Sequence, residues 1–291
     1  MLSLSPVGRV GTISRRSFLD LHRRPCRPVV LEEFTRSWPA RTKWSVDYLK
    51  SVAEERRIPV YDSRPARGRQ HQNAAAARMP LGEFLERIRA GECGLRIFFL
   101  RVVTELPELL PDFTYPDVGV RYAKPLSVLF VGGRGARVQM HFDIDLAHTF
   151  LCHFGGRKRV ILFAPEETPH LYRVPFSFST LFDVAPDAPD YEKFPALGEA
   201  RGEIADLRHG DALYIPPGYW HYVLYDDVGF SLSLRTWPGT TRDVLAALHN
   251  ILVLRTVDGV MRKVVGQRWN DRNERLAIER AHRHLALDAV R

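Results

Sequence analysis

The 291-residue chain is poor in cysteine, in lysine and in long apolar runs. Its three cysteines, Cys26, Cys93 and Cys152, are odd in number and lack metal-finger spacing, which excludes a disulfide scaffold and a cysteine-rich zinc module. Few, unpaired thiols suit a reducing compartment, so the expected location is cytoplasmic. No uninterrupted stretch of about 18 apolar residues occurs, and no membrane span is expected. Met1 to Arg9 lacks the continuous apolar segment of a secretory signal. Lysine is scarce, six residues against 36 arginines, and the formal net charge is +8. The arginines are spread along the chain, so the basic balance permits acidic or nucleic-acid partners without requiring them. With 45% hydrophobic and 26% charged residues the chain is neither disordered nor fibrous. Its length suits two domains, or one large β domain with attachments.

What is present divides into three parts. Residues 1–94 combine irregular basic sequence, short strand candidates at 28–31 and 58–61, and helical spacing within 38–57 and 79–88. The stretch 62–78, rich in Arg, Gln, Ala and Ser, reads as a loop. From 95 to 238 the pattern changes to short strand-like runs separated by Gly and Pro turns, at 95–103, 126–132, 136–142, 148–154, 158–163, 211–215, 219–225 and 229–236. Many short strands at even spacing imply a mainly β sandwich or barrel. Residues 164–205 are polar and Pro-rich, with Tyr172, Phe176, Phe178, Phe182 and the acids Glu166, Glu167, Asp183, Asp187 and Asp190. They form an insertion, either a substrate lid or an ordinary packed segment. Residues 239–291 are helical, and their apolar positions suit packing on the barrel or a homodimer interface equally.

The chemistry concentrates in two places. His141-Phe142-Asp143 lies in a strand-like run, where residues two apart share a face. A His and a carboxylate on an interior face need a partner, and a metal ion would supply one. Gly210-Asp-Ala-Leu-Tyr-Ile-Pro-Pro-Gly-Tyr-Trp-His221 then feeds a strand through a rigid turn into a second His. Two histidines and one carboxylate make a facial triad that leaves coordination positions open, though the same set suits several divalent metals. Between them, Lys158 shares parity with Val160 and Leu162 and so faces an apolar interior. Such a lysine either pairs with a bound carboxylate or extends to solvent at the strand end.

The ordered set His141-x-Asp143, Gly156-Arg-Lys158-Arg-Val-Ile-Leu-Phe163, Gly210-Asp-Ala-Leu-Tyr-Ile-Pro216 and Trp220-His221 resembles the JmjC (cupin-like) Fe(II)- and 2-oxoglutarate-dependent oxygenases. It is most similar to their small hydroxylase branch, which includes the asparaginyl hydroxylase acting on hypoxia-inducible factor. The resemblance covers roughly residues 25–238. It implies a double-stranded β-helix, Fe(II) held by His141, Asp143 and His221, and 2-oxoglutarate as cosubstrate with its far carboxylate on Lys158. No separate nucleophile or general base is implied. Carried over position by position, cosubstrate contacts would fall on Phe99, Thr149 and Arg235. The pattern departs here: Val138 stands where that branch has Thr, Phe99 where it has Tyr, and Thr149 and Arg235 where it has Asn. Two extra residues also separate the first ligand from the lysine. The implied reaction is hydroxylation of a C–H bond on a protein or peptide side chain. An RNA base, a small molecule or an N-methyl group is the alternative, as is a cupin using its metal for other chemistry.

Overall fold

A computed structural model of the chain describes residues 1–64, 68, 74–174, 177–181 and 184–288. The expected loop at 62–78 and the lid residues Phe176, Phe182 and Asp183 therefore lie wholly or partly outside the described residues. Fourteen strands are described: β1 Ser3–Pro6, β2 Arg9–Val10, β3 Val29–Leu31, β4 Arg57–Val60, β5 Ala77–Pro80, β6 Arg96–Arg101 and β7 Val128–Gly132. They continue with β8 Arg137–His141, β9 Thr149–Gly155, β10 Lys158–Phe163, β11 Arg201–Leu207, β12 Ala212–Ile215, β13 Trp220–Tyr225 and β14 Gly229–Arg235. The major sheet has the order β2-β3-β12-β9-β14-β7-β6 and the minor sheet β1-β11-β10-β13-β8, while β4 and β5 pair separately.

Alternation along the strands sorts their side chains into three apolar layers. Val160 and Leu162 of β10, Leu151 of β9, Leu213 of β12 and Val223 of β13 meet between the two sheets. Phe150, Cys152 and Phe154 of β9 and Leu232 and Leu234 of β14 face outward and pack beneath the helices Val46–Ala53 and Leu81–Arg89. Ile161, Phe163, Trp220 and Tyr222 face out from the minor sheet and are covered by Leu171, Tyr172, Leu197 and the helix Gln267–Asp288. Two face-to-face sheets with this order form a jelly roll, in keeping with the sandwich or barrel that the strand spacing implied and with the double-stranded β-helix that the JmjC resemblance implied.

The structure adds three things to the sequence reading. Strands from the first 94 residues join the barrel, β1 pairing with β11 and β3 with β12, which extends both sheets. The insertion 164–205 ends in a strand, β11, antiparallel to β10. Its sequence Arg-Gly-Glu-Ile-Ala-Asp-Leu carries three charges and a glycine, which hid its period. The third concerns the C-terminal region. There Thr241–Val265 forms one helix that is long and apolar enough to cross a membrane by length and composition. An uninterrupted apolar run was too strict a test, since isolated charges such as Arg255 and Asp258 break the run but not the helix. Leu245, Leu248, Leu252, Val257, Val260 and Val264 of this helix are exposed at steps of three to five residues.

Candidate metal centre

His141 ends β8 and pairs directly across the ladder with His221 of β13, so both rings project from neighbouring strands into the space between the sheets. Their centroids are 4.2 Å apart. Trp220, on the opposite face, is fully buried and donates its indole N–H to Thr168 Oγ1 at 2.9 Å, which fixes the strand with His221 inward. Asp143 lies beyond the end of β8 rather than on it, and the chain bends back so that Leu146 N–H donates to its carbonyl. A turn, not strand parity, therefore aims this carboxylate. Ligand atoms of His141, Asp143 and His221 all lie within 4.8 Å of one another.

The hydrogen bonds leave the correct atoms free. His141 Nδ1 sits 2.8 Å from the Gln139 carbonyl, and His221 Nδ1 sits 3.1 Å from the Tyr219 carbonyl. Each Nδ1–H donates to a backbone oxygen, which turns each unprotonated Nε2 toward the centre. Burial, with His221 beside it, pushes the His141 pKa down to about 3. Burial likewise lowers that of His221. Burial would raise that of Asp143, but Arg235 and the two histidines outweigh it and hold the carboxyl well below its usual range. Neutral imidazoles and an ionised carboxylate are the states a divalent cation requires. The donor set thus fits a metal of the kind that takes a two-His, one-carboxylate face.

Arg235 and Thr149 converge on the same carboxylate. Arg235 Nη2 lies 2.7 Å from Asp143 Oδ2 and 2.9 Å from Asp145 Oδ1, and Thr149 Oγ1 donates to Asp143 Oδ2 at 3.2 Å. Both bonds engage Oδ2 and leave Oδ1 for a cation. The structure thus places these two residues on the carboxylate of the candidate metal centre, whose orientation they fix. Phe99 is the extra residue of a bulge in β6, at φ 56, and its ring lies 5.8 Å from the Arg235 guanidinium. A second bulge, in β8, sets Val138 opposite Val223 and allows Val138 and His141, three apart, to share the inner face.

Deeper between the sheets, Lys158 is 2% exposed and, among the described residues, has no carboxylate partner. Its Nζ donates to Tyr225 Oη at 3.1 Å and to Ser231 Oγ at 2.8 Å. Ser231 Oγ is 3.1 Å from His153 Nδ1, and His153 Nε2 is 2.6 Å from the Gly156 carbonyl. Burial alone pushes the Lys158 ammonium down to about 7. Ser233 Oγ, on the same face of β14, is buried and has no hydrogen-bond partner among the described residues. The sheet interior thus places a buried lysine and two buried serine hydroxyls among apolar side chains, on the same inner face as the three converged metal donors. Tyr225, Ser231 and His153 escaped the sequence reading as a group. The available signal was parity, since Tyr225 lies four residues after His221 and Ser231 four before Arg235.

The insertion contributes to both packing and site. Tyr172 is fully buried, and Glu167 is bonded by His170 and by the Arg201 N–H. Phe178 instead stacks on His141, with centroids 5.8 Å apart.

The profile of the cupin-like domain family matches residues 15–241. Lysine-specific demethylase 8 of Xenopus tropicalis is 31% identical over 231 residues, which cover 76% of this chain and 50% of that protein. JmjC domain-containing protein 5 of Drosophila melanogaster is 32% identical over 223 residues, covering 71% of this chain and 54% of that protein. tRNA wybutosine-synthesizing protein 5 of Gallus gallus is 28% identical over 244 residues, covering 76% of this chain and 74% of that protein. The chain spans about half the length of the demethylase 8 and JmjC protein 5 relatives and most of the tRNA-modifying one.

Proposed function

The chain belongs to the cupin-like JmjC family of Fe(II)- and 2-oxoglutarate-dependent oxygenases, and from that premise we propose that it hydroxylates a C–H bond on a protein or peptide side chain. The observation that carries the reading is the convergence of His141, Asp143 and His221 beside a buried, unneutralised Lys158. When bound, iron and 2-oxoglutarate supply the oxidising power, so that oxygen, cosubstrate and a C–H group become succinate, carbon dioxide and an alcohol. The protein does the rest by placement. His141, Asp143 and His221 would hold the metal on one side and leave the other side open. Arg235 and Thr149 orient Asp143. Lys158 would take a carboxylate between its bonds to Tyr225 and Ser231, and the walls of Val138, Val223 and Phe130 keep water from that ion pair. Hydroxylation of an N-methyl carbon uses the same arrangement, so substrate alone separates demethylation from side-chain hydroxylation.

An RNA base is the second reading, favoured by the wide coverage of the tRNA-modifying relative and by the net charge of +8. The free cysteines, two of them exposed, support a cytoplasmic location. The exposed apolar stripe of Thr241–Val265 supports a homodimer through this helix. The test is anaerobic calorimetry of 2-oxoglutarate with Mn(II) in place of Fe(II), on wild type and His141→Ala. Metal-dependent binding that the variant loses is expected. No binding by folded, metal-loaded wild type would refute the oxygenase reading. Succinate release stimulated by peptide pools and not by tRNA supports a protein substrate, and the opposite pattern supports RNA.

A further inference from the structure

A second buried cation lies against the Lys158 pocket. Arg96 opens β6 opposite Gly132 of β7, and its backbone pairs on the other side with Tyr61. Its neighbour Ile97 is buried in the outer core beneath the helices, so Arg96 points the other way, between the sheets. A Cβ at Gly132 would come within 2.5 Å of the Tyr225 ring, so that ring occupies the space beside Arg96. The Tyr225 hydroxyl is the same one that accepts from Lys158. The Arg96 guanidinium packs among aromatic rings, 5.7 Å from the Tyr61 centroid and 5.5 Å from that of Phe98.

Arg96 is 8% exposed, and its Nε and Nη1 are buried without a hydrogen-bond partner. Among the described residues it forms no ion pair. A guanidinium held this way costs several kcal/mol relative to water unless an anion meets it. Lys158, hydrogen-bonded to Tyr225 and Ser231, likewise has no carboxylate partner among the described residues, and Tyr225 interacts electrostatically with Arg96 as well. Two buried basic side chains that share Tyr225 as a neighbour, with Asp62 within electrostatic reach of Arg96 but not ion-paired to it, suit an anion with two oxygens. The hydroxyl partners expected for such an anion are missing here, since Val138 and Phe99 stand at those positions.

We propose that Arg96 is the second cation for the distal carboxylate of 2-oxoglutarate, one oxygen meeting Lys158 and the other the free Nε and Nη1 of Arg96. This rests on the oxygenase reading above. Arg96 is a binding and specificity residue, remote from the reacting atoms. A planar guanidinium between aromatic faces presents its donors in a fixed fork, which compensates for the absent Thr and Tyr hydroxyls.

The test compares 2-oxoglutarate with 2-oxovalerate, which has the same chelating end and no distal carboxylate. Anaerobic calorimetry with Mn(II) is run on wild type, Arg96→Met and Arg96→Lys, each checked by circular dichroism. Arg96→Met is expected to weaken 2-oxoglutarate by roughly 10- to 100-fold, the range for a lost charge-assisted contact, and to leave 2-oxovalerate unchanged. Arg96→Lys should recover part of the loss. Equal 2-oxoglutarate affinity in wild type and Arg96→Met, or equal weakening of both ligands, would overturn the assignment while leaving the oxygenase reading standing. Absence of 2-oxoglutarate binding by wild type would instead remove both. Should Arg96→Met not fold, unchanged affinity and selectivity in Arg96→Lys would count against the fork.

Discussion

Replacing Lys158 by Met should make the metal-free protein more stable while abolishing its use of cosubstrate. Burial lowers the ammonium from 10.5 to about 7. At pH near 7.5 that shift makes the buried lysine about 4 kcal/mol less favourable than an exposed one. Its two hydrogen bonds, to Tyr225 and Ser231, return about 1 kcal/mol each. A methionine of similar shape removes both terms, which leaves the variant more stable by about 2 kcal/mol. The sign with pH follows from linkage. The unfolded chain holds this proton up to 10.5, and the folded chain releases it above about 7. The penalty is therefore complete below pH 7 and fades as pH rises toward 10.5. Wild type should gain on the variant by about 1.4 kcal/mol per pH unit across that window. Urea unfolding of the metal-free proteins at several pH values reads this directly, and calorimetry should show 2-oxoglutarate affinity lost by more than about 100-fold. A variant less stable than wild type at pH 7, or a stability difference flat between pH 7 and 10, would refute the reasoning. So would retained cosubstrate affinity.

Three further outcomes follow from particular contacts. Arg235→Met leaves Asp143 and Asp145 without their shared guanidinium and frees the ligand to rotate; Mn(II) affinity measured by electron paramagnetic resonance should fall by roughly 10- to 100-fold, as for other groups that orient metal ligands. Gly132→Ala places a methyl 2.5 Å from the Tyr225 ring, so denaturant unfolding should show a loss of about 1–3 kcal/mol, and 2-oxoglutarate binding should weaken as the ring moves from Lys158. Leu252→Glu puts a charge in the middle of the exposed stripe and should convert a dimer to a monomer by light scattering, with metal binding unchanged; a wild type that is already monomeric in detergent-free buffer would remove the dimer reading.

Most barrel strands and the identity of the converging groups were legible in the sequence, β11 excepted. Alternation in β10, β13 and β14 arises from a two-residue period, which is local, so the runs at 158–163, 219–225 and 229–236 were readable within a residue or two of the observed ends. The order His141-x-Asp143, Lys158, Trp220-His221 was equally plain. What those groups touch emerges only in the folded chain. Asp143 leaves the strand and is aimed by a turn. Arg235 and Thr149 reach it from β14 and β9, neighbours in the sheet but 86 residues apart along the chain, and hold one of its oxygens. Two bulges, in β6 and β8, break the period that a sequence reading assumes, and they set the positions of Phe99 and Val138. Arg96 in the sequence is one arginine among 36. Its burial without a partner beside Tyr225 exists only once β6, β7 and β13 come together, because desolvation and pairing are properties of the space around a charge and not of its place in the chain.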